Sequence, residues 1–177
     1  MTKKQLLLNS AIELFAEKGI EATSVQQITD NAGISKGAFY LTFKSKDELV
    51  LAVIDYFMKN IISYIDQAVS MEQDTQKKLH IYYEATFTIL STYQGFAEIF
   101  IKETFPSMGK ELFEKMVMYE TMSDETLKIL LHEVYGKKIE TTIYDLLFII
   151  KGLIKSYAQV VFIPVSTLKI TQLATSL

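Results

Sequence analysis

Between Ile34 and Leu49 the chain reads ISKGAFYLTFKSKDEL, and the chemistry on offer there is hydrogen bonding and charge rather than bond making. Lys36, Gly37, Tyr40, Leu41 and Thr42 place a cation, bare backbone, a phenol, an aliphatic group and a hydroxyl within two helical turns. Such a set suits the edges of base pairs and the walls of a DNA groove, and Gly37 lets the backbone approach a base or a thymine methyl closely. Nothing else in the chain offers a reactive constellation. His80 and His132 are the only histidines, and neither belongs to a recognisable metal-ligand motif. Glu133 adjoins His132, but consecutive residues of a helix do not face each other. With no cysteine there is no thiolate nucleophile, disulfide or thiolate-bound metal. No catalytic site, metal or cofactor is expected, and the chain does not read as an enzyme.

The elements that must carry this stretch are helices. Apolar residues recur at three and four, as in Leu7, Ala11, Leu14 and Phe15, which is helical rather than strand periodicity. A first helix is expected over 3–18, stopped by Gly19. Ser24 with Gln27 forms a capping box that opens a short helix ending near Ala32, ahead of Gly33. Ser35 caps a third short helix. Ser45 with Glu48 opens a long fourth one, which Leu49, Val53, Phe57, Ile61 and Ile65 carry to about Ser70. Two short helices across a tight turn describe a helix-turn-helix, the second helix entering the major groove. Gly33 suits that turn because it tolerates a left-handed conformation. Phe39, Phe43, Ile28 and Ala32 read as core. Longer amphipathic segments follow over 75–93, 96–105, 110–134 and 139–163, with a break near Ser123 as an option. The fold class is all-α, with a DNA-binding domain over 1–48 and a larger helical domain over 49–177.

The 177 residues carry a net charge of −3, and all 18 basic residues are lysines. A globally basic footprint for coating nucleic acid is therefore absent; affinity for DNA has to come from where a few charges stand. No apolar signal peptide opens the chain. The run DLLFIIKGLIKSYAQVVFIP is interrupted by Lys151 and Lys155, short of the roughly 18 apolar residues a membrane span needs. A cytoplasmic protein with no membrane partner is the simplest reading.

The stretch TSVQQITDNAGISKGAFYLTFKSKDEL, Thr23 to Leu49, resembles the DNA-binding signature of the TetR family of bacterial repressors, and the preceding AIELFAEKGIEATS is similar as well. The resemblance covers about the first fifty residues; beyond them the chain agrees with the family in length and helical character. It implies phosphate contacts from Thr23 and Ser24 at the start of the second helix, with Gln27 in its first turn. Ser35 caps the reading helix, and Gly37 lets it come close. The resemblance also implies that Tyr40 and Thr42 hold phosphates on the groove wall, that Lys46 does so from the fourth helix, and that Lys36 contacts bases. The family often carries Tyr-His where this chain has Leu41-Thr42.

A regulator of this kind works as a homodimer, so that two reading heads meet two half-sites of an operator, and responds to a small-molecule effector. Residues 139–163 are the candidate dimer element, with Leu146, Ile150, Leu153, Tyr157 and Val161 forming one face and Gly152 allowing close approach; packing within the subunit would use many of the same side chains. A further helix would begin after Pro164 and be cut short at Leu177. Aromatics and methionines between Tyr82 and Met122 suggest an adaptable apolar pocket, with Tyr83, Phe87, Phe96, Phe100, Phe105, Met116 and Tyr119 as candidate lining. The function expected is a ligand-responsive repressor of a palindromic operator. Its rival is an all-α small-molecule binding protein in which the first fifty residues merely pack.

Overall fold

The structure is a computed structural model that describes residues 1–95 and 109–161, the last four of these as backbone only. Its regular elements among the described residues are all helical: α1 (Lys3–Lys18), α2 (Val25–Ala32), α3 (Lys36–Thr42), α4 (Lys46–Met71), α5 (Lys78–Thr92), α6 (Lys110–Tyr135), a 3-10 turn (Gly136–Ile139) and α7 (Ile143–Val161). Two compact units are present. One comprises Met1–Met58 with Gln94–Lys115, the other Lys59–Tyr93 with Met116–Leu177; α4 and α6 each run from one into the other.

In the first unit the helix ends follow from their caps. The Thr2 hydroxyl accepts from the Gln5 N–H to start α1, and Gly19, at φ +88°, ends it. Ser24 and Gln27 form the expected reciprocal capping box at α2. Gly33 adopts the left-handed conformation (φ +64°, ψ +31°), and the next residue's N–H returns to the Thr29 carbonyl at 2.9 Å. This satisfies a carbonyl that the end of α2 would otherwise leave open. α1 packs on α2 and α3, and α2 on α3. Leu7, Ala11, Phe15, Ile28, Phe39, Phe43, Leu49 and Val53 are buried as the unit's core.

The second unit closes on a long-range core. Tyr82, Tyr83 and Phe87 from α5 meet Leu127, Leu130 and Leu131 from α6, with Ile143, Leu147 and Ile150 from α7. Ion pairs clasp these helices: Lys78 to Glu133 at 2.5 Å, and Lys151 to both Glu120 and Asp124. α5 begins three residues later than periodicity suggests, because Asp74 accepts from the Gln76 N–H and Lys77 N–H and holds 75–77 as a turn. α6 is unbroken through Ser123. The 3-10 turn, entered through Gly136 at φ +67°, delays α7 to Ile143. No helix among the described residues is long and apolar enough to cross a membrane. The segment 96–105 and the helix expected after Pro164 lie outside the described residues.

Candidate nucleic-acid interface

α2, the Gly33 turn and α3 make the expected helix-turn-helix, and a polar pin fixes it on α1. The buried Ser10 hydroxyl donates to the Ile28 carbonyl at 3.0 Å and accepts from the Asn31 amide at 3.0 Å, while that amide also reaches the Glu13 carboxylate at 3.2 Å. Periodicity did not announce this pin. A serine on the otherwise apolar buried face of α1 was the signal available.

α3 is turned so that Phe39 is fully buried, with Ala38 and Thr42 half-buried, and its other face is open. At about 100° per residue, the exposed residues Lys36, Tyr40, Gly37 and Leu41 fall on one continuous arc. The Ser35 hydroxyl accepts from the Ala38 N–H at 3.2 Å, which fixes the start of that helix. Tyr40 is half exposed, its ring held edge-on against Phe39 with centroids 5.2 Å apart. A Cβ on Gly37 would meet nothing within 4 Å, so the space there belongs to whatever docks on the helix.

Other expected contacts are engaged within the protein. Thr23 is only 1% exposed, and its hydroxyl donates to the Gly19 carbonyl at 2.6 Å. It ties off the end of α1 instead of presenting a hydroxyl outward, since the last carbonyls of a helix need a donor. The Ser24 and Gln27 side chains are exposed but occupied in the capping box. What α2 offers outward is its first backbone N–H groups and the positive end of its dipole. The Thr42 hydroxyl donates back to Ala38 at 3.0 Å, leaving its lone pairs. Lys46 is half-buried and donates to the Glu21 carbonyl at 3.3 Å; an ammonium has two further protons to give. In the same first turn of α4, Glu48 accepts from the Lys44 N–H at 2.6 Å, and its own N–H donates to the Ser45 hydroxyl. The reciprocal cap therefore reaches one residue further back than the sequence suggests. Over 1–48, six lysines face six carboxylates, so the open face of α3 is set apart by its shape and by Lys36 and not by a net charge.

The candidate effector residues are placed less favourably. Tyr83, Phe87 and Tyr119 are buried, Met116 is half-buried, and Phe96, Phe100 and Phe105 lie outside the described residues. Phe87 packs edge-on against Tyr157 at 6.2 Å. An open groove of about 610 Å³ runs between α4 and α6, lined by Lys59, Ile62, Ser63, Asp66, Gln67, Ser70 and Met122, and none of the expected lining residues that are described borders it. Burial raises the Asp66 carboxyl above its ordinary value. α7 uses two faces: Ile150 is buried in its own unit's core with Leu146 and Tyr157 packed against it, whereas Tyr144, Phe148, Ile149, Gly152 and Leu153 are exposed. Of the expected dimer face, then, Leu153 alone among the described side chains points outward, and Val161 is described as backbone only.

Residues 7–53 match the family described as bacterial regulatory proteins, tetR family. The uncharacterized HTH-type transcriptional regulator YerO of Bacillus subtilis is 32% identical over 165 residues, 89% of this chain and 55% of that protein. YuxN, of the same description and organism, is 31% identical over 178 residues, 97% of this chain and 59% of that protein; the chain thus spans under two thirds of the length of either. Among solved structures, the transcriptional regulator FadR from Bacillus subtilis, in complex with stearoyl-CoA, superposes with a TM-score of 0.77 at 20% identity, over 97% of this chain and 94% of that one. That likeness bears on the fold. With the capped helix-turn-helix in place and relatives of this similarity, the chain belongs to the TetR family of bacterial transcriptional regulators.

Proposed function

We propose that the protein is a ligand-responsive transcriptional repressor that binds a palindromic operator as a homodimer and is released by a small, apolar molecule. The observation that carries this reading is the open arc of Lys36, Tyr40, Gly37 and Leu41 on a helix held by the Gly33 turn and the Ser35 cap. On DNA, Lys36 reads base edges, most simply guanine acceptors. Tyr40, Thr42 and Lys46 hold phosphates, and Ser24 and Gln27 fix the N-terminus of α2 against another. The exposed apolar face of α7 from Tyr144 to Leu153 serves the dimer, Gly152 admitting a close helix. Effector chemistry follows the apolar residues of the second unit, and the stearoyl-CoA bound by FadR supports a fatty acyl group as the first class to try. α4 starts at Lys46, and its later turns supply Ile61 and Ile65 to the second unit's core. An effector that repacks that core shifts α4 and changes the spacing of the two reading heads.

The test separates positioning from reading. Tyr40→Ala and Lys46→Ala are expected to weaken binding to operator and unrelated duplex alike, with Lys46→Ala also reducing the salt slope by about one. Lys36→Ala is expected to relax preference at one base pair per half-site. Equal losses from all three on every duplex remove the base-reading role of Lys36. No binding by the folded wild type would leave the rival reading, an all-α small-molecule binding protein.

A further inference from the structure

We propose that Leu41 reads the C5-methyl group of a thymine, and so fixes a T·A pair in each operator half-site. The inference rests on the proposed DNA-binding function and adds a specificity-determining residue to it. Leu41 is 90% exposed. A single exposed leucine is common on any protein surface, so exposure alone decides nothing; its place does. It lies on the open arc of α3, one turn beyond Gly37, where no side chain fills the space. Lys36 and Tyr40 complete the same arc, and the neighbouring Thr42 hydroxyl is turned back on Ala38.

A leucine can neither donate nor accept a hydrogen bond. In the major groove a cytosine presents an amino donor, a guanine two acceptors and an adenine an acceptor beside a donor; thymine alone presents a methyl group. Burying any of the polar edges under Leu41 strips water from it with nothing in exchange, whereas the methyl gains from the same contact. The bare backbone at Gly37 lets the helix sit deep enough for a side chain of leucine's length to reach that methyl. The selectivity therefore has both an attractive part and a repulsive one.

The test uses operator duplex recovered by selection, full-length protein, and single replacements of thymine by deoxyuridine, which delete the methyl and keep every hydrogen-bonding group. One position per half-site is expected to lose about fourfold in affinity on this replacement, and about fifteenfold with both half-sites changed, as a buried methyl predicts. In Leu41→Ala, whose side chain is outside the core, that sensitivity is expected to vanish, while Lys36→Ala retains it. Operator binding with no deoxyuridine-sensitive position, or with the sensitivity intact in Leu41→Ala, overturns the role of Leu41 and leaves the repressor reading standing. Failure to recover any preferred sequence with folded protein overturns both.

Discussion

The helix-turn-helix unit and the α5–α7 unit are both helical, yet they are specified differently. In the first, each boundary is written within four residues of itself: Thr2 with Gln5, Ser24 with Gln27, the glycine at 33 with Thr29, Ser35 with Ala38. In the second, α5 has no side-chain cap, and the helices are held by apolar contacts and ion pairs between residues tens of positions apart, such as Lys78 with Glu133. A reading head has to present a few groups in one geometry on its own, which local caps secure. Under the proposed function, the second unit responds to an effector and needs a core that repacks, which long-range contacts allow.

The comparison breaks most visibly under large core truncations. Phe39→Ala is expected to cost about 3–5 kcal/mol and to release amide protection in α1–α3 first, whereas Phe87→Ala costs a similar amount and releases α5 and α7. Hydrogen exchange followed by mass spectrometry distinguishes them; uniform loss in both variants would mean one cooperative unit. Gly33→Ala forces a Cβ into a left-handed backbone and is expected to cost about 1–2 kcal/mol, read as a lower midpoint in urea, with helix content unchanged. Lys151→Met removes two partly exposed ion pairs and is expected to cost about 1 kcal/mol, less in high salt, by the same measurement.

The last contrast is alkaline. Burial pushes Tyr82 up to about 12, with Tyr83 and the carboxylates of Asp124 and Asp66 adding to the rise and a hydrogen bond with Ser123 opposing it; burial does the same to Tyr83. In the unfolded chain these phenols ionise near 10, so between about 10 and 12 the unfolded state sheds protons that the folded state keeps. Stability contributed by the neutral phenols is whole below pH 10 and lost as pH rises through that window. Tyr82→Phe is expected to flatten this fall while leaving stability at pH 7 within about 1 kcal/mol of wild type. Denaturation midpoints from pH 8 to 12 check it.

Legibility follows the same division. The ends of α1 to α3 matched the expected residues because capping needs only neighbours, and Phe39 and Ile28 were assigned to the core by spacing alone. The resemblance gives Thr23 an outward phosphate contact, but its hydroxyl is buried against the end of α1, and that burial depends on how α1 packs. The Ser10–Asn31 pin joins residues 21 apart, and its one local trace is the serine on the apolar face of α1. On α7, apolar residues surround much of the helix, so periodicity could not say that Ile150 faces inward and Phe148, at 82% exposure, outward.

The most direct test of the central claim is selection of bound sequences by purified protein from a pool of random duplex DNA at moderate salt. The account predicts enrichment of one palindrome whose half-sites lie about one helical turn or a little more apart. Folded protein that retains no preferred sequence, while a mass measurement in solution finds it dimeric, would contradict it.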